Sequence, residues 1–249
     1  MKKISVSILS SKNLQKDIMR INNSTADYVH IDVCDGKFVK NKFNPYKLLN
    51  KMYPSMNTRL DVHLMEKKPK KDINRYASLN TEYITVHLEI DRPDKYLKQI
   101  KEYGIKCGLA INPDTDESAI VPYLHDIDLI LIMSVYPGYG GQEFLEDTTK
   151  KILKIKKLIV KEKVDVKITV DGGINEEVAK KLDFADIIVS GSYVTKSEGL
   201  ELNDRVETLR KNADKLQTKK RTERRKIKEE NISKKEKKTA KTKETKKEE

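Results

Sequence analysis

The stretch "YVHIDVCDGKF", residues 28–38, alternates like a β-strand and ends in a turn. Val29, Ile31 and Val33 make one apolar face, while Tyr28, His30, Asp32 and Cys34 make the other. Burying an imidazole and a carboxylate without partners costs on the order of several kcal/mol. Something must therefore satisfy His30 and Asp32 on the face they share.

Outward from this stretch, short β-branched runs alternate with segments of helical period. The runs are "KISVSI" (3–8), "YVHIDV" (28–33), "RLDVHL" (59–64), "YITVHL" (83–88), "KCGLAI" (106–111), "LILIMSV" (129–135), "VKITVD" (166–171) and "DIIVSG" (186–191). Helices are expected over Leu14–Asn22, Pro69–Leu79, Asp94–Tyr103, Asp147–Val160, Asn175–Leu182 and Leu202–Leu216. The link between the second and third strands is less regular. Eight strands, nearly all followed by a helix, fit a (β/α)8 TIM barrel, an α/β fold, over residues 1–214. An open doubly wound sheet usually carries a Gly-rich turn after its first strand, whereas "SILSSKN" follows here.

Residues 215–249 differ in kind. They hold 16 Lys or Arg and 7 Asp or Glu, a net of +9, out of +12 for the chain. The first 214 residues are thus close to neutral, and their charge gives no reason to expect nucleic-acid binding. The tail has no aromatic residue and few large apolar ones, so it is expected to be disordered. Its lysines could contact RNA or an anionic surface, but the interspersed glutamates and the lack of a stacking ring favour a solubilising extension. Two cysteines without a CxxC spacing suit a reducing compartment. No signal peptide or membrane span is apparent, so a soluble cytoplasmic protein is expected.

In a barrel, chemistry belongs at the carboxyl ends of the strands. His30 and Asp32 on the second strand, His63 on the third and Asp171 ending the seventh would converge there. Two imidazoles and two carboxylates suit Zn²⁺ and its divalent neighbours, and spacing alone does not rank the metals. His87 at the end of the fourth strand is a candidate partner of a ligand, and His125 a surface residue. Glycines cluster in "YPGYGGQ" (136–142), "DGGI" (171–174) and "SGS" (190–192). They let a backbone approach a ligand closely, and a barrel's usual phosphate site lies in the loops after its last two strands.

The segments "SVSILSSK", "VHIDVCDGKFVKN", "LDVHLM", "GLAINPDT", "LIMSVYPGYGGQEF", "VDGGI" and "VSGS" together resemble the ribulose-phosphate 3-epimerase family, in that family's order, from residue 4 to about 195. The resemblance implies His30, Asp32, His63 and Asp171 as ligands of one divalent ion, usually Zn²⁺, with Fe²⁺, Co²⁺ or Mn²⁺ also suited. It implies Asp32 and Asp171 as the acid/base pair that epimerises D-ribulose 5-phosphate and D-xylulose 5-phosphate at C3, a step of the pentose phosphate pathway. Ser7, His63, Met65, Met133 and Asp171 would border this phosphorylated ketopentose, and Gly138, Tyr139, Gly140, Gly141, Gly172, Gly173, Gly191 and Ser192 would hold its phosphate. A homo-oligomer is implied as well. Allulose 6-phosphate, one carbon longer, is the alternative substrate. Cys34 departs from the family, which usually has methionine there; the smaller side chain loosens one wall and puts a thiol near the metal.

Overall fold

The computed structural model describes residues 1–197 and 201–214; the tail expected to be disordered, and the boundary drawn at residue 214, fall on or against residues outside this range. Nine strands form one sheet: β1 (Lys3–Ser7), β2 (Tyr28–Asp35), β3 (Lys42–Phe43), β4 (Arg59–Met65), β5 (Thr81–His87), β6 (Lys106–Ile111), β7 (Leu129–Met133), β8 (Lys167–Asp171) and β9 (Ile187–Ser190). The order is β1-β9-β8-β7-β6-β5-β4-β2-β3, and β1 also pairs with β2. That last pairing closes eight parallel strands into the expected barrel. β3 is a two-residue antiparallel addition to the end of β2.

Helices α1 (Leu14–Asn22), α2 (Tyr46–Met52), α3 (Lys70–Ala77), α4 (Pro93–Glu102), α5 (Thr148–Glu162), α6 (Glu176–Ala179) and α7 (Ser192–Thr195) lie between and after the strands, with a final helix, α8, over residues 201–214. Each longer helix buries one stripe. In α5 the buried residues Ile152, Ile155 and Ile159 recur at helical spacing. Burying each such side chain contributes roughly 1.5–3 kcal/mol. In α1, the Asn13 side chain caps the first turn by accepting from the Lys16 N–H at 3.1 Å.

One expected helix is shorter than its pattern. Residues 175–182 give only the four-residue α6, because Lys181 and Leu182 bond three residues back, to Val178 and Ala179, instead of four. Between β6 and β7 a 3-10 segment, Glu117–Tyr123, containing Pro122, takes the place of a helix. Helix α8 is fastened to the start of the barrel: the Arg210 guanidinium donates to Asp27 Oδ2 at 2.7 Å, to the Thr25 carbonyl at 2.9 Å and to the Lys2 carbonyl at 3.2 Å.

The two faces of β2 part as their alternation requires. Val29, Ile31 and Val33 join the large apolar layer between barrel and helices. His30 and Asp32 turn into the barrel, beside Asp61 and His63 of β4 in register. No helix among the described residues is long and apolar enough to cross a membrane.

Candidate metal centre and substrate cleft

The barrel interior holds an unusual number of buried polar groups: Ser5, Ser7, His30, Asp32, Asp61, His63, Thr85, His87 and Thr169. At the carboxyl end, one ligand atom from each of His30, Asp32, His63 and Asp171 lies within 4.8 Å of every other. His30 Nε2 is 3.5 Å from Asp32 Oδ1 and 3.8 Å from Asp171 Oδ2. His63 Nδ1 is 3.1 Å from Asp32 Oδ1 and 3.9 Å from Asp171 Oδ2. His30 Nε2 is buried and has no hydrogen-bond partner. A buried, unpartnered imidazole nitrogen beside two carboxylates is what a divalent cation satisfies, so the donor set fits one.

Behind the cluster stand partners that the alternation pattern does not reveal. His30 Nδ1–H donates to Asp61 Oδ2 at 2.8 Å, and the Ser5 hydroxyl donates to the same oxygen at 2.8 Å. His63 Nε2 meets His87 Nε2 at 2.8 Å, and His87 Nδ1 meets Glu89 Oε2 at 3.0 Å. His87 thus bonds to His63, a candidate ligand, as its position suggested. His125 is exposed, as expected.

The charges of the two candidate acid/base groups are pushed apart. Asp171 is raised to about 7, first by burial and then by the negative charge of Asp32. For Asp32 burial acts upward, yet the imidazoles of His30 and His63 hold it well below the ordinary carboxylate range. His30 is raised well above its usual value: burial opposes this, and Asp32 and Asp61 outweigh it. His87, buried and beside His63, is pushed down to about 4 despite Glu89.

A cleft opens over this cluster. Ser7, Asp32, Met65, Met133 and Asp171 line its floor, and the residue groups 138–141, 172–173 and 191–192 line its opposite wall. All the expected substrate-side residues thus border it except His63, which lies beneath. The Ser7 hydroxyl donates to Asp32 Oδ2 at 2.8 Å. The glycine wall is braced from outside. Asn41 donates to the Gly138 carbonyl at 2.8 Å, Gln142 Nε2 to the Tyr136 and Tyr139 carbonyls at 2.7 Å each, and the Ser134 hydroxyl to the Asp171 and Gly172 carbonyls at 2.7 Å each. Gly172 has φ +124°, and a Cβ there would lie 2.5 Å from Val135 Cγ2, so the backbone itself requires glycine. Ser192 begins α7, where an N–H has no partner within its helix.

Cys34 is 3 % exposed and packs with Val39 and Met65, flanked by Phe38 and Phe43. Burial, reinforced by Asp32 and Asp35, pushes its thiol up to about 12. In the cation-free protein it is a buried thiol that packs the wall of the cluster.

Solved structures with the same architecture include tryptophan synthase of Mycobacterium tuberculosis (TM-score 0.63, 12 % identity, 85 % of this chain and 92 % of that one). Another is phosphoribosylanthranilate isomerase of Thermotoga maritima (TM-score 0.59, 15 % identity, 86 % and 100 %). At such identities they speak for the fold alone. The sequence comparisons go further. The chain is 37 % identical over 205 residues to the ribulose-phosphate 3-epimerase of Helicobacter pylori strain J99, covering 80 % of this chain and 94 % of that protein. It is 36 % identical over 198 residues to that of Bacillus subtilis (77 % and 91 %), and 35 % identical over 198 residues to the chloroplastic ribulose-5-phosphate-3-epimerase of Arabidopsis thaliana (77 % and 70 %). The model of the ribulose-phosphate 3 epimerase family matches residues 3–195, and the chain belongs to that family.

Proposed function

We propose that this chain interconverts D-ribulose 5-phosphate and D-xylulose 5-phosphate, with Asp32 and Asp171 exchanging protons at C3 on opposite faces of the sugar. The observation that carries the reading is the pair of carboxylates in one cluster with two imidazoles, below a cleft walled by glycine loops. Epimerisation beside a ketone removes a proton from one face and returns one to the other, through an enediolate of the sugar.

A divalent cation held by His30, Asp32, His63 and Asp171 supplies stabilisation of the negative charge that develops on the substrate oxygens. The donor set of two imidazoles and two carboxylates suits Zn²⁺ and its divalent neighbours Fe²⁺, Co²⁺ and Mn²⁺, and the family resemblance puts Zn²⁺ first. Asp32 and Asp171 are the acid/base pair; in the cation-free protein Asp32 is held down by its imidazole neighbours and Asp171 is pushed up by burial and by Asp32, so the two titrate as a pair. In the reverse reaction the roles exchange. Ser7 steadies Asp32 through its hydrogen bond, and Met65 and Met133 exclude water beside the reacting carbons. The phosphate sits against the backbone of 138–141, 172–173 and 191–192. The homo-oligomeric state and cytoplasmic place belong to the same proposal.

The test is an assay of the purified chain on ribulose 5-phosphate and allulose 6-phosphate, with metal analysis of the same sample. Higher kcat/KM on the pentose, abolished by chelation and restored by Zn²⁺, is expected. Full activity in verified metal-free protein defeats the cation's role, and preference for the hexose defeats the substrate assignment.

A further inference from the structure

His30 and His63 face the same cluster with different nitrogens. His30 turns Nε2 inward and gives its Nδ1–H to the buried carboxylate Asp61, 2.8 Å away. His63 turns Nδ1 inward, and no carboxylate lies behind it; His87 does, with Nε2 at 2.8 Å. Either nitrogen of that pair could carry the proton. What settles the choice lies one residue further out.

Glu89 Oε1 accepts the backbone N–H of Asn112 at 2.8 Å and the hydroxyl of Thr115. Its other oxygen, Oε2, faces His87 Nδ1 at 3.0 Å. A carboxylate oxygen accepts, so His87 donates from Nδ1, and a neutral His87 then offers a bare lone pair at Nε2. In the cation-free protein Asp32 Oδ1, 3.1 Å from His63 Nδ1, competes for the proton; with a cation in the cluster that carboxylate is engaged, and His63 donates to the His87 lone pair from its own Nε2, which leaves Nδ1 free for the cation. The loop that fixes Glu89 is itself pinned: Lys151 Nζ, from α5, donates to the carbonyls of Asn112 (2.9 Å), Pro113 (2.6 Å) and Thr115 (2.6 Å).

We propose that Glu89 and His87 are positioning residues that set the tautomer of His63, so that its Nδ1 is presented to the cation. The proposal rests on the metal-centre reading above. Each side of the centre thus has a carboxylate behind its imidazole, Asp61 directly for His30 and Glu89 through His87 for His63.

Glu89→Gln tests the direction of this relay. The Asn112 N–H can only donate, so it claims the amide oxygen of the new side chain and turns the NH₂ toward His87. His87 must then accept at Nδ1 and donate from Nε2, which forces His63 to accept at Nε2 and carry its proton on Nδ1, where the cation binds. Thr115→Val is the control. It removes a bond to the same carboxylate without reversing any donor.

The measurements are the Zn²⁺ affinity of the full chain, by competition with a chromophoric chelator, and the ¹⁵N state of His63 by long-range ¹H–¹⁵N NMR. In the Zn²⁺-loaded parent, His63 should be metal-bound at Nδ1 and protonated at Nε2. Zn²⁺ affinity should fall about 10–100-fold in Glu89→Gln, the usual cost of losing an outer partner of a ligand, and stay within about threefold of the parent in Thr115→Val. A metal-bound Nε2 on His63 in the parent overturns the relay, whether or not the variants fold. So does a folded Glu89→Gln protein with parental affinity, or equal losses in both variants. If the parent shows no Zn²⁺ binding that His30→Ala removes, the metal centre falls and the relay with it. Parental binding with an unaffected Glu89→Gln defeats the relay alone.

Discussion

On the β2–β4 side of the barrel mouth, His30, Asp32 and His63 are at most 3 % exposed and work through side chains that other side chains hold, and the Asp171 carboxylate joins their cluster from the end of β8. On the β7–β9 side, Gly172, Gly173 and Gly191 have only backbone to offer, in loops braced by Ser134, Asn41 and Gln142. The first side concentrates charge in a dry place, where each unit of charge acts strongly and must be balanced. The second spreads neutral N–H groups along a wall that a phosphorylated ligand can lie against. Damage to the two sides should therefore appear in different kinetic constants. Changes on the charged side should lower kcat, and changes on the glycine side should raise KM.

The largest effect is expected from the two carboxylates. Asp32→Asn and Asp171→Asn keep size but remove a proton-transfer group and a negative ligand, and each should lower kcat by at least ~100-fold. Metal loss would produce the same fall, so the metal content of each variant must be measured. A metal-replete variant separates the two roles. Incubated in D₂O with each epimer in turn and followed by NMR, it should exchange the C3 proton of one epimer faster than that of the other, and the two variants should show complementary preferences. If metal-replete Asp171→Asn epimerised both sugars at the parental rate, Asp171 would not be an acid/base group.

The same contrast separates what could be read in the sequence from what could not. Alternation in "YVHIDV" and "RLDVHL" puts His30 with Asp32 and Asp61 with His63, since a period of two is local geometry. That Asp61 stands beside His30 depends on the register between β2 and β4, which no pattern within one strand fixes. Glu89 follows His87 by two residues, yet their pairing depends on how the chain leaves β5 and on a loop held by a lysine of α5. The eight strands were legible because each carries a β-branched run. Helix α6 was overread because an apolar pattern does not show where hydrogen bonds tighten from four residues to three. On the glycine side the motif marked the wall but not which glycine the fold requires and which the ligand requires.

That distinction selects the variant for the second side. Gly172→Val, the obvious substitution from sequence, would strike Val135 and force a left-handed backbone on valine, so it reports on folding. Gly191 is different. Its φ is −101°, and a Cβ would meet nothing nearer than Ser7 Cβ at 3.4 Å. The added methyl of Gly191→Ala therefore fits in ordinary contact with Ser7, which also lines the cleft, and narrows the space beside this loop. KM for ribulose 5-phosphate should rise about tenfold, which corresponds to about 1.4 kcal/mol of binding, with kcat within a factor of about two. An unchanged KM would move the phosphate away from this loop, and a fall confined to kcat would dissolve the contrast between the two sides.

The smallest effect is expected from the part of the chain that belongs to neither side. Among the described residues, every group in the cleft and its supports comes from residues 5–192, and the last described element, α8, is described as far as residue 214. That helix matters to the barrel: Val206 and Leu209 are fully buried in it, and Arg210 ties it to Lys2, Thr25 and Asp27. Removing residues 217–249 keeps all of these contacts, so kcat, KM and the melting temperature should stay at the parental values. Removing everything from residue 201 exposes the apolar layer beside β1 and deletes the Arg210 clamp, and the melting temperature should fall. The pair of truncations also addresses the lysines of the tail. Association with RNA or anionic vesicles that weakens with salt and disappears with residues 217–249, while kcat/KM is untouched, assigns the tail a separate role. Loss of kcat/KM in the shorter truncation would mean that the tail reaches the cleft, and that neither side of the mouth is complete without it.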